Sequence, residues 1–387
     1  TAEEKAAVES YGGELIFTPG DIVYSSSHII ENAPPSIAIE KLMLLFDAER
    51  VGFDDLRRAV DDISGLRVHV IGDTIVDSYT HCAMIGGGTK TPTMSVRFEN
   101  RTDFVGGAGI VSKHLKSAGA SVTFSTVLGD DELGELARND LQAAGIDADP
   151  VVDPTRPTTN KNVITAGGYH LLKVDKVDNR SISERILGTL IDRIRSIPAD
   201  IVVFSDFRHG IFNRETIPQL TAAIPGTTFR VADSQVASRW GNILEFQKFD
   251  LITPNEREAR FALGDQDSVV RPLGAELYRR AQCKTLIFKL SERGLMTFRA
   301  APKQPEDVRA FFSLDSFATG VVDALGTGDA LLAYAAPTMF QTGNAVIASV
   351  LGSLAAAVEC EQEGNIPVRP EDVRAKIDQL ERLAHYR

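Results

Sequence analysis

Cysteine is scarce in this 387-residue chain: Cys82, Cys283 and Cys360 stand far apart, with no C-x-x-C spacing to hold zinc or a redox pair. A disulfide-stapled scaffold is thereby excluded, and a reducing, cytoplasmic setting is expected. Long apolar runs are missing too. The most apolar stretch, Ala345 to Val358, falls short of the roughly 20 residues needed to cross a bilayer, and Gly352 with two serines dilutes it. Residues Thr1 to Ser10 are charged and lack an apolar h-region, so no secretory signal is expected. Positive charge is in deficit, with 41 Lys and Arg against 53 Asp and Glu, a net charge of -12. That balance repels phosphodiester backbones and acidic bilayers, so neither nucleic acid nor membrane is expected as a partner. With 43% apolar and 24% charged residues the usage is that of a globular protein, which removes disordered, collagen-like and coiled-coil classes. The length suits one large α/β domain plus a smaller appendage.

Residues 1 to 64 differ in texture from the rest. A short apolar run (Leu15 to Thr18), the Ser25-Ser26-Ser27 cluster and the breaker Pro34-Pro35 precede a stretch from Ser36 to Ile63. There Ile37, Leu42, Leu45, Phe46, Phe53, Leu56 and Val60 recur at helical spacing, interrupted near Gly52, which predicts two helices. From Gly65 onward apolar runs alternate with amphipathic stretches. Buried strands are expected at 68–71, 122–127, 201–204, 229–232, 251–253 and 285–288. Helices are expected at 107–118, 131–144, 183–195, 214–223, 256–263 and 272–281. This alternation predicts an α/β fold, a doubly wound and mostly parallel sheet covered on both faces, with ligands beyond the carboxyl ends of its strands. Two segments, 78–104 and 151–175, are rich in Thr, Val and Gly without helical period. They are expected to form a small β-sheet lid over those strand ends.

Glycine and aspartate together mark the candidate chemistry. Val322-Asp323-Ala324-Leu325-Gly326-Thr327-Gly328-Asp329 leads into a predicted helix. Glycines permit a tight turn whose backbone N–H groups converge, and a helix start adds free donors and partial positive charge, so an anion suits the place. Asp329 at its mouth is positioned to accept a proton from a hydroxyl attacking a phosphoryl group; a plain loop with an Asp near a helix start gives the same spacing. Gly106-Gly107 opens another predicted helix, as a polyol-binding turn or simply a tight one. Asp73 and Asp77 follow the first strand, where carboxylates suit sugar hydroxyls or cap the next segment. Asn255 and Glu258 stand one helical turn apart, as hard oxygen ligands for a hydrated magnesium ion or as an N-cap with its glutamate.

These four stretches, in this order, resemble the PfkB-type carbohydrate kinases of ribokinase-like fold, over essentially residues 65 to 387. Asp323-x-x-Gly326-x-Gly328-Asp329 is similar to the family's C-terminal signature, and Leu128-Gly129-Asp130-Asp131-x-x-Gly134 and Asn255-x-x-Glu258 also match family motifs. Within that family the chain resembles the kinase half of bifunctional heptose-phosphate kinase/nucleotidyltransferases. Supporting stretches are Gly72-Asp73 to Asp77, Arg156-Pro157-Thr158 to Lys161, Leu171-Leu172-Lys173-Val174-Asp175, Phe204-Ser205-Asp206 to Gly210 and Leu251 to Asn255. Gly12-Gly13-Glu14 and Tyr24 to Ile30 resemble the end of a sugar-phosphate nucleotidyltransferase, whose H-x-G-H signature is not found in these 387 residues. Residues 1 to 64 are therefore expected to serve as a linker or packing appendage.

The resemblance implies transfer of the ATP γ-phosphoryl group to a hydroxyl of a sugar or sugar phosphate. Asp329 is then the base, with Gly326, Thr327 and Gly328 as the anion hole. Asp73, Asp77, Gly106, Gly107, Lys161 and Asp206 are expected on the sugar. Asp323, Gly326, Gly328, Asn255 and Glu258 are expected on the nucleotide, the last two reaching magnesium through water. Adenine is expected between Asp323 and the helix around Ala355 to Glu359, a monovalent cation near Glu359 to Gly364, and a homodimer paired through the lid. Departures bear on the acceptor: Ile110 stands where heptose kinases carry Asn, Gly88 to Pro92 replaces a proline-rich stretch, His209 replaces Lys, and Lys289 stands where many relatives carry Thr. Two other readings remain: a kinase fold degenerated to a binding module, and a dinucleotide-dependent oxidoreductase, against which no G-x-G-x-x-G follows the first strand.

Overall fold

The computed structural model describes residues 37–87, 93–236, 241–299 and 310–385. The expectations for Gly12 to Glu14, Leu15 to Thr18, Tyr24 to Ile30 and Gly88 to Pro92 lie outside the described residues.

The chain begins with α1 (Ile37–Glu49) and α2 (Phe53–Asp61). They are separated at Gly52, whose amide donates to the Asp55 side chain at 2.8 Å. Leu42, Phe46, Leu56 and Ile63 are buried in the same apolar core that holds Tyr334 and Leu380. The two helices thus pack as part of the main body, and Arg57 pairs with Asp378 at 2.7 Å.

Next come β1 (Arg67–Gly72), β2 (Thr74–Gly87), β3 (Met94–Gly107), α3 (Ala108–Ser117), β4 (Ser121–Ser125), β5 (Val127–Leu128), α4 (Glu132–Ala143), β6 (Asp147–Ala148), β7 (Val151–Val152), β8 (Asn160–Ala166), β9 (Tyr169–Lys176), α5 (Glu184–Ser196) and β10 (Ile201–Asp206). The order continues with α6 (Thr216–Ala223), β11 (Phe229–Ser234), β12 (Leu251–Ile252), α7 (Glu256–Leu263), α8 (Val270–Ala281), β13 (Thr285–Lys289), β14 (Leu295–Arg299), β15 (Phe311–Leu314), α9 (Thr327–Thr342), α10 (Ala345–Cys360) and α11 (Pro370–His385).

The main sheet has the strand order β15-β14-β13-β12-β11-β10-β1-β4-β6. It is parallel from β6 to β13, and β14 and β15 add an antiparallel edge. Its central strands are largely apolar along their middles because both faces are covered, and their buried polar residues gather toward the carboxyl ends, with His69 the exception in β1. Alternate residues feed alternate cores: Val203 and Val231 pack with α3, α9 and α10, while Val202, Phe204 and Ala232 pack with α5, α6 and α8. The antiparallel edge was not expected, because its hairpin leaves β13 through the five-residue Leu290–Gly294 turn, which holds a single 3-10 turn at Ser291–Arg293 and no α-helix to signal it.

A second sheet, β3-β2-β8-β9, stands beyond the carboxyl ends of the main strands. It uses residues 74–87, 94–107 and 160–176, so each expected lid segment shifts: Val151 and Val152 pair with Val127 and Leu128 in a separate two-stranded patch instead. The three cysteines are buried and unpaired. Among the described residues no helix is long and apolar enough to cross a membrane.

Candidate active site

A cavity of about 560 Å³ opens between the lid and the carboxyl edge of the main sheet, where parallel α/β sheets place their ligands. Ile75, Asp77, Gly107, Ile110, Lys161 and Lys173 line one end. Gly294, Leu295, Val321, Leu325, Ala356, Ala357 and Cys360 make the other, more apolar end. Asn255, Glu258, Lys289 and the run Gly326 to Asp329 also line it.

The turn at Gly326 explains that run. Gly326 has φ +75°, and a Cβ there would lie 2.8 Å from Glu359 Oε1 and 2.9 Å from Asn365 Oδ1, so only glycine fits. Its carbonyl accepts from the amides of both Asp329 and Ala330 at 2.9 Å, closing the first turn of α9. The amides of Gly326, Thr327 and Gly328 have no acceptor among the described residues, and they belong to a helix start, where negative charge is favoured. Asp329, two residues into the helix, is 8% exposed and reaches the cavity. Burial, then the nearby Asp233, push its pKa up to about 8 against the opposing charge of Lys289.

Asn255 and Glu258 form a complete capping box. Asn255 Oδ1 accepts from the Glu258 amide at 2.9 Å, while the Asn255 amide and Nδ2 each donate to Glu258 at 2.7 Å. The helix-cap geometry is therefore present, and both residues still line the cavity. Burial raises the Glu258 pKa to about 8. Among the described residues no three His, Cys, Asp or Glu side chains gather to grip an ion directly. The chemistry of the pair suits an ion that arrives with phosphates and keeps its waters, as magnesium does.

At the lid end of the cavity Asp77 lies against Gly106: a Cβ on Gly106 would fall 2.1 Å from Asp77 Oδ2. Gly107, with φ +61°, has Asp73 O at 2.5 Å from the same imagined atom, so a side chain is excluded at both positions. Burial raises the Asp77 pKa, and Lys161 and Lys173 oppose that rise.

Four of the expected contacts stand behind the wall instead of lining it, and each has a physical reason. Asp73 is spent on the chain, its Oδ2 accepting from the amides of Phe207 at 3.0 Å and His209 at 3.1 Å. Asp206 accepts from Ser234 Oγ at 2.7 Å and Asn242 Nδ2 at 2.8 Å; burial, then Asp73, raise its pKa to about 7. Asp323 accepts from the Leu325 amide at 2.9 Å and the Gly364 amide at 3.4 Å, bracing the turn before Gly326. Gly106 makes room for Asp77. His209 is likewise internal, with Nδ1 2.8 Å from Asn179 Oδ1.

Sequence reasoning passed over Lys173 and Asp233 as site residues and read Lys289 only as a departure bearing on the acceptor. Lys173 lies on β9 beside Lys161. Asp233 and Lys289 lie at the carboxyl ends of β11 and β13, the two strands that flank β12, and their positions just past the expected strands 229–232 and 285–288 were a usable signal. Lys289 Nζ stands 2.9 Å from Asp233 Oδ1, which also accepts from Thr253 Oγ1 at 2.8 Å.

Residues 66–372 match the pfkB family of carbohydrate kinases. That span is most of the chain, and the chain belongs to this family: it is a carbohydrate kinase. The dinucleotide reading gives way to it. The bifunctional protein HldE of Desulfatibacillum aliphaticivorans is 26% identical over 321 residues, which are 81% of this chain and 63% of that protein. HldE of Pelobacter propionicus is 27% identical over 314 residues, 79% of this chain and 62% of that one. The chain thus spans a little under two thirds of the length of these relatives. Phosphofructokinase-2 from Escherichia coli in complex with potassium shares the fold with a TM-score of 0.67 at 16% identity, over 82% of this chain and 99% of that one. A carbohydrate kinase from Agrobacterium tumefaciens gives a TM-score of 0.60 at 16% identity, over 81% and 97%.

Proposed function

We propose that this kinase transfers the γ-phosphoryl group of ATP to a hydroxyl of a sugar that already carries a phosphate. One observation carries the proposal: Asp77, Lys161 and Lys173 share a cavity with Asp329 and the unpartnered amides of Gly326 to Gly328. Asp77 and the backbone at Gly107 hold sugar hydroxyls, and the two ammonium groups answer an anionic substituent. Asp329 accepts the proton of the attacking hydroxyl. The three amides receive phosphoryl oxygens, and adenine lies at the apolar end between Leu325 and Ala356. Asn255 and Glu258 would hold, through water, a magnesium ion that arrives with the nucleotide and would neutralise charge on the phosphates. Both Glu359 carboxyl oxygens and Asn365 Oδ1 are buried without hydrogen-bond partners behind Gly326. They form a donor set suited to a monovalent cation.

Resemblance to the heptose-phosphate kinases makes a heptose phosphate the first acceptor to try. The test measures ADP release with ATP and magnesium across heptose, hexose and pentose phosphates and their unphosphorylated counterparts. Turnover is expected with a phosphosugar, and K161M/K173M is expected to raise its KM by about 10- to 100-fold with kcat little changed. Preference for a neutral sugar contradicts the acceptor class. Nucleotide binding without ADP release on any sugar makes the chain a binding module.

The lid also exposes Met84, Met94, Phe98, Tyr169, Leu172 and Val174. A second copy of the chain is proposed to cover this surface, since exposed apolar patches mark interaction sites. Sedimentation velocity is expected to show a homodimer; a monomer at every concentration contradicts it.

A further inference from the structure

Lys289 is placed where a cation has two costs to meet. Its side chain is 14% exposed, and burying an ammonium is unfavourable unless it is paired. It also stands over the amino end of α9: a Cβ on Gly328 would lie 3.2 Å from its Nζ. The positive end of a helix disfavours a cation there. Asp233 at 2.9 Å answers the first cost and leaves the second. The position is fixed by backbone, because the Lys289 amide donates to Pro254 O at 2.9 Å and joins the strand end to Asn255. An anion between the ammonium and the free amides of Gly326, Thr327 and Gly328 answers both costs at once.

We propose that Lys289 binds the migrating phosphoryl group, its ammonium and those three amides forming opposite sides of one pocket for the γ-phosphoryl oxygens. This rests on the kinase reading above and adds to it a cation supplied by the protein. In the transfer, a bond forms between the acceptor oxygen and the γ-phosphorus while the bond from that phosphorus to the β,γ-bridging oxygen breaks. The electron pair of the broken bond leaves with ADP, and the acceptor proton goes to the Asp329 carboxylate. Lys289 keeps its three protons throughout and only neutralises charge. Burial works to discharge it, but Asp233, Glu258 and Asp329 around it overcome that and hold its pKa above the ordinary lysine value.

The test compares magnesium ADP with a magnesium complex of a non-hydrolysable ATP analogue by calorimetry, in the wild type, K289M and D233N/K289M. The double variant is included because K289M leaves the Asp233 carboxylate buried without its ion-pair partner. Both variants are expected to bind the analogue about 10- to 100-fold more weakly while ADP affinity is retained. If only the double variant folds, its ratio of analogue to ADP affinity decides. An unchanged ratio, whether both affinities hold or fall in parallel, overturns the role of Lys289 and leaves the kinase reading intact. A wild-type protein that binds neither nucleotide overturns the kinase reading and this proposal together.

Discussion

Asp329→Asn is expected to lower turnover of the phosphosugar by about 10²- to 10⁴-fold, the usual contribution of a general base, with nucleotide affinity retained. The side chain keeps its shape but loses the ability to take the hydroxyl proton. The pH dependence gives a second readout. Burial first, then Asp233, hold the Asp329 pKa up at about 8, so at pH 7 roughly one molecule in ten of the free enzyme carries the carboxylate. Because the ionised form is the base, wild-type kcat/KM rises with pH through about 8. The Asn variant lacks that rise. Stability moves the other way. A carboxyl whose folded pKa is raised contributes stability that is full below its unfolded pKa and lost as pH climbs through the folded value. The wild type should therefore lose thermal stability progressively between about pH 4 and pH 8 and level off above it, and Asp329→Asn should lose less of it. ADP-release rates on both sides of about pH 8 and melting curves between about pH 4 and pH 8 check each sign. Equal turnover in variant and wild type removes Asp329 from the chemistry.

Gly326→Ala is expected to be nearly as damaging, although no side chain is taken away. The φ of +75° costs an L-residue about 1–2 kcal/mol. The new methyl would also meet Glu359 Oε1 at 2.8 Å and Asn365 Oδ1 at 2.9 Å, two acceptors with no hydrogen-bond partner. The turn must shift, and with it the aim of three amides. Losing one donor of an oxyanion-type site typically costs about 10²- to 10³-fold in kcat, and that range is expected here. Gly188→Ala is the control, because Gly188 sits within α5 with nothing near its missing Cβ. There the substitution should raise the melting temperature slightly, by removing backbone freedom from the unfolded chain, and leave kcat unchanged. Wild-type turnover in Gly326→Ala, measured by the same ADP-release assay, contradicts the anion-hole role.

Where apolar period and punctuation agreed, the fold was legible. The break at Gly52 separates α1 from α2, and the runs Val68 to Ile71, apolar but for His69, and Ile201 to Phe204 became central strands buried on both faces. What failed was local signal without a helix behind it. Leu295 to Phe298 is as apolar as a central strand, yet it returns antiparallel through a tight turn and closes the sheet edge. In the site, the glycine turns were visible because each demands a backbone that other residues resist. The carboxylates were harder to sort. Asp73 and Asp77 are four residues apart after one strand, but Asp73 is used up by the amides of Phe207 and His209 while Asp77 faces the cavity beside two lysines. Those amides lie more than 130 residues away in sequence, so composition around Asp73 holds no trace of them. The Lys289–Asp233 pair was missed for the same reason: it exists only once β11 and β13 flank β12.

The most direct test is a crystal structure with ADP, magnesium, aluminium fluoride and the phosphosugar that the screen selects. The fluoroaluminate, standing for the phosphoryl group in flight, is predicted to sit on the amides of Gly326, Thr327 and Gly328, with the acceptor hydroxyl about 2.6–3.2 Å from an Asp329 oxygen. A fluoroaluminate bound elsewhere in the cavity, or an acceptor whose hydroxyls all lie out of reach of Asp329, contradicts the account.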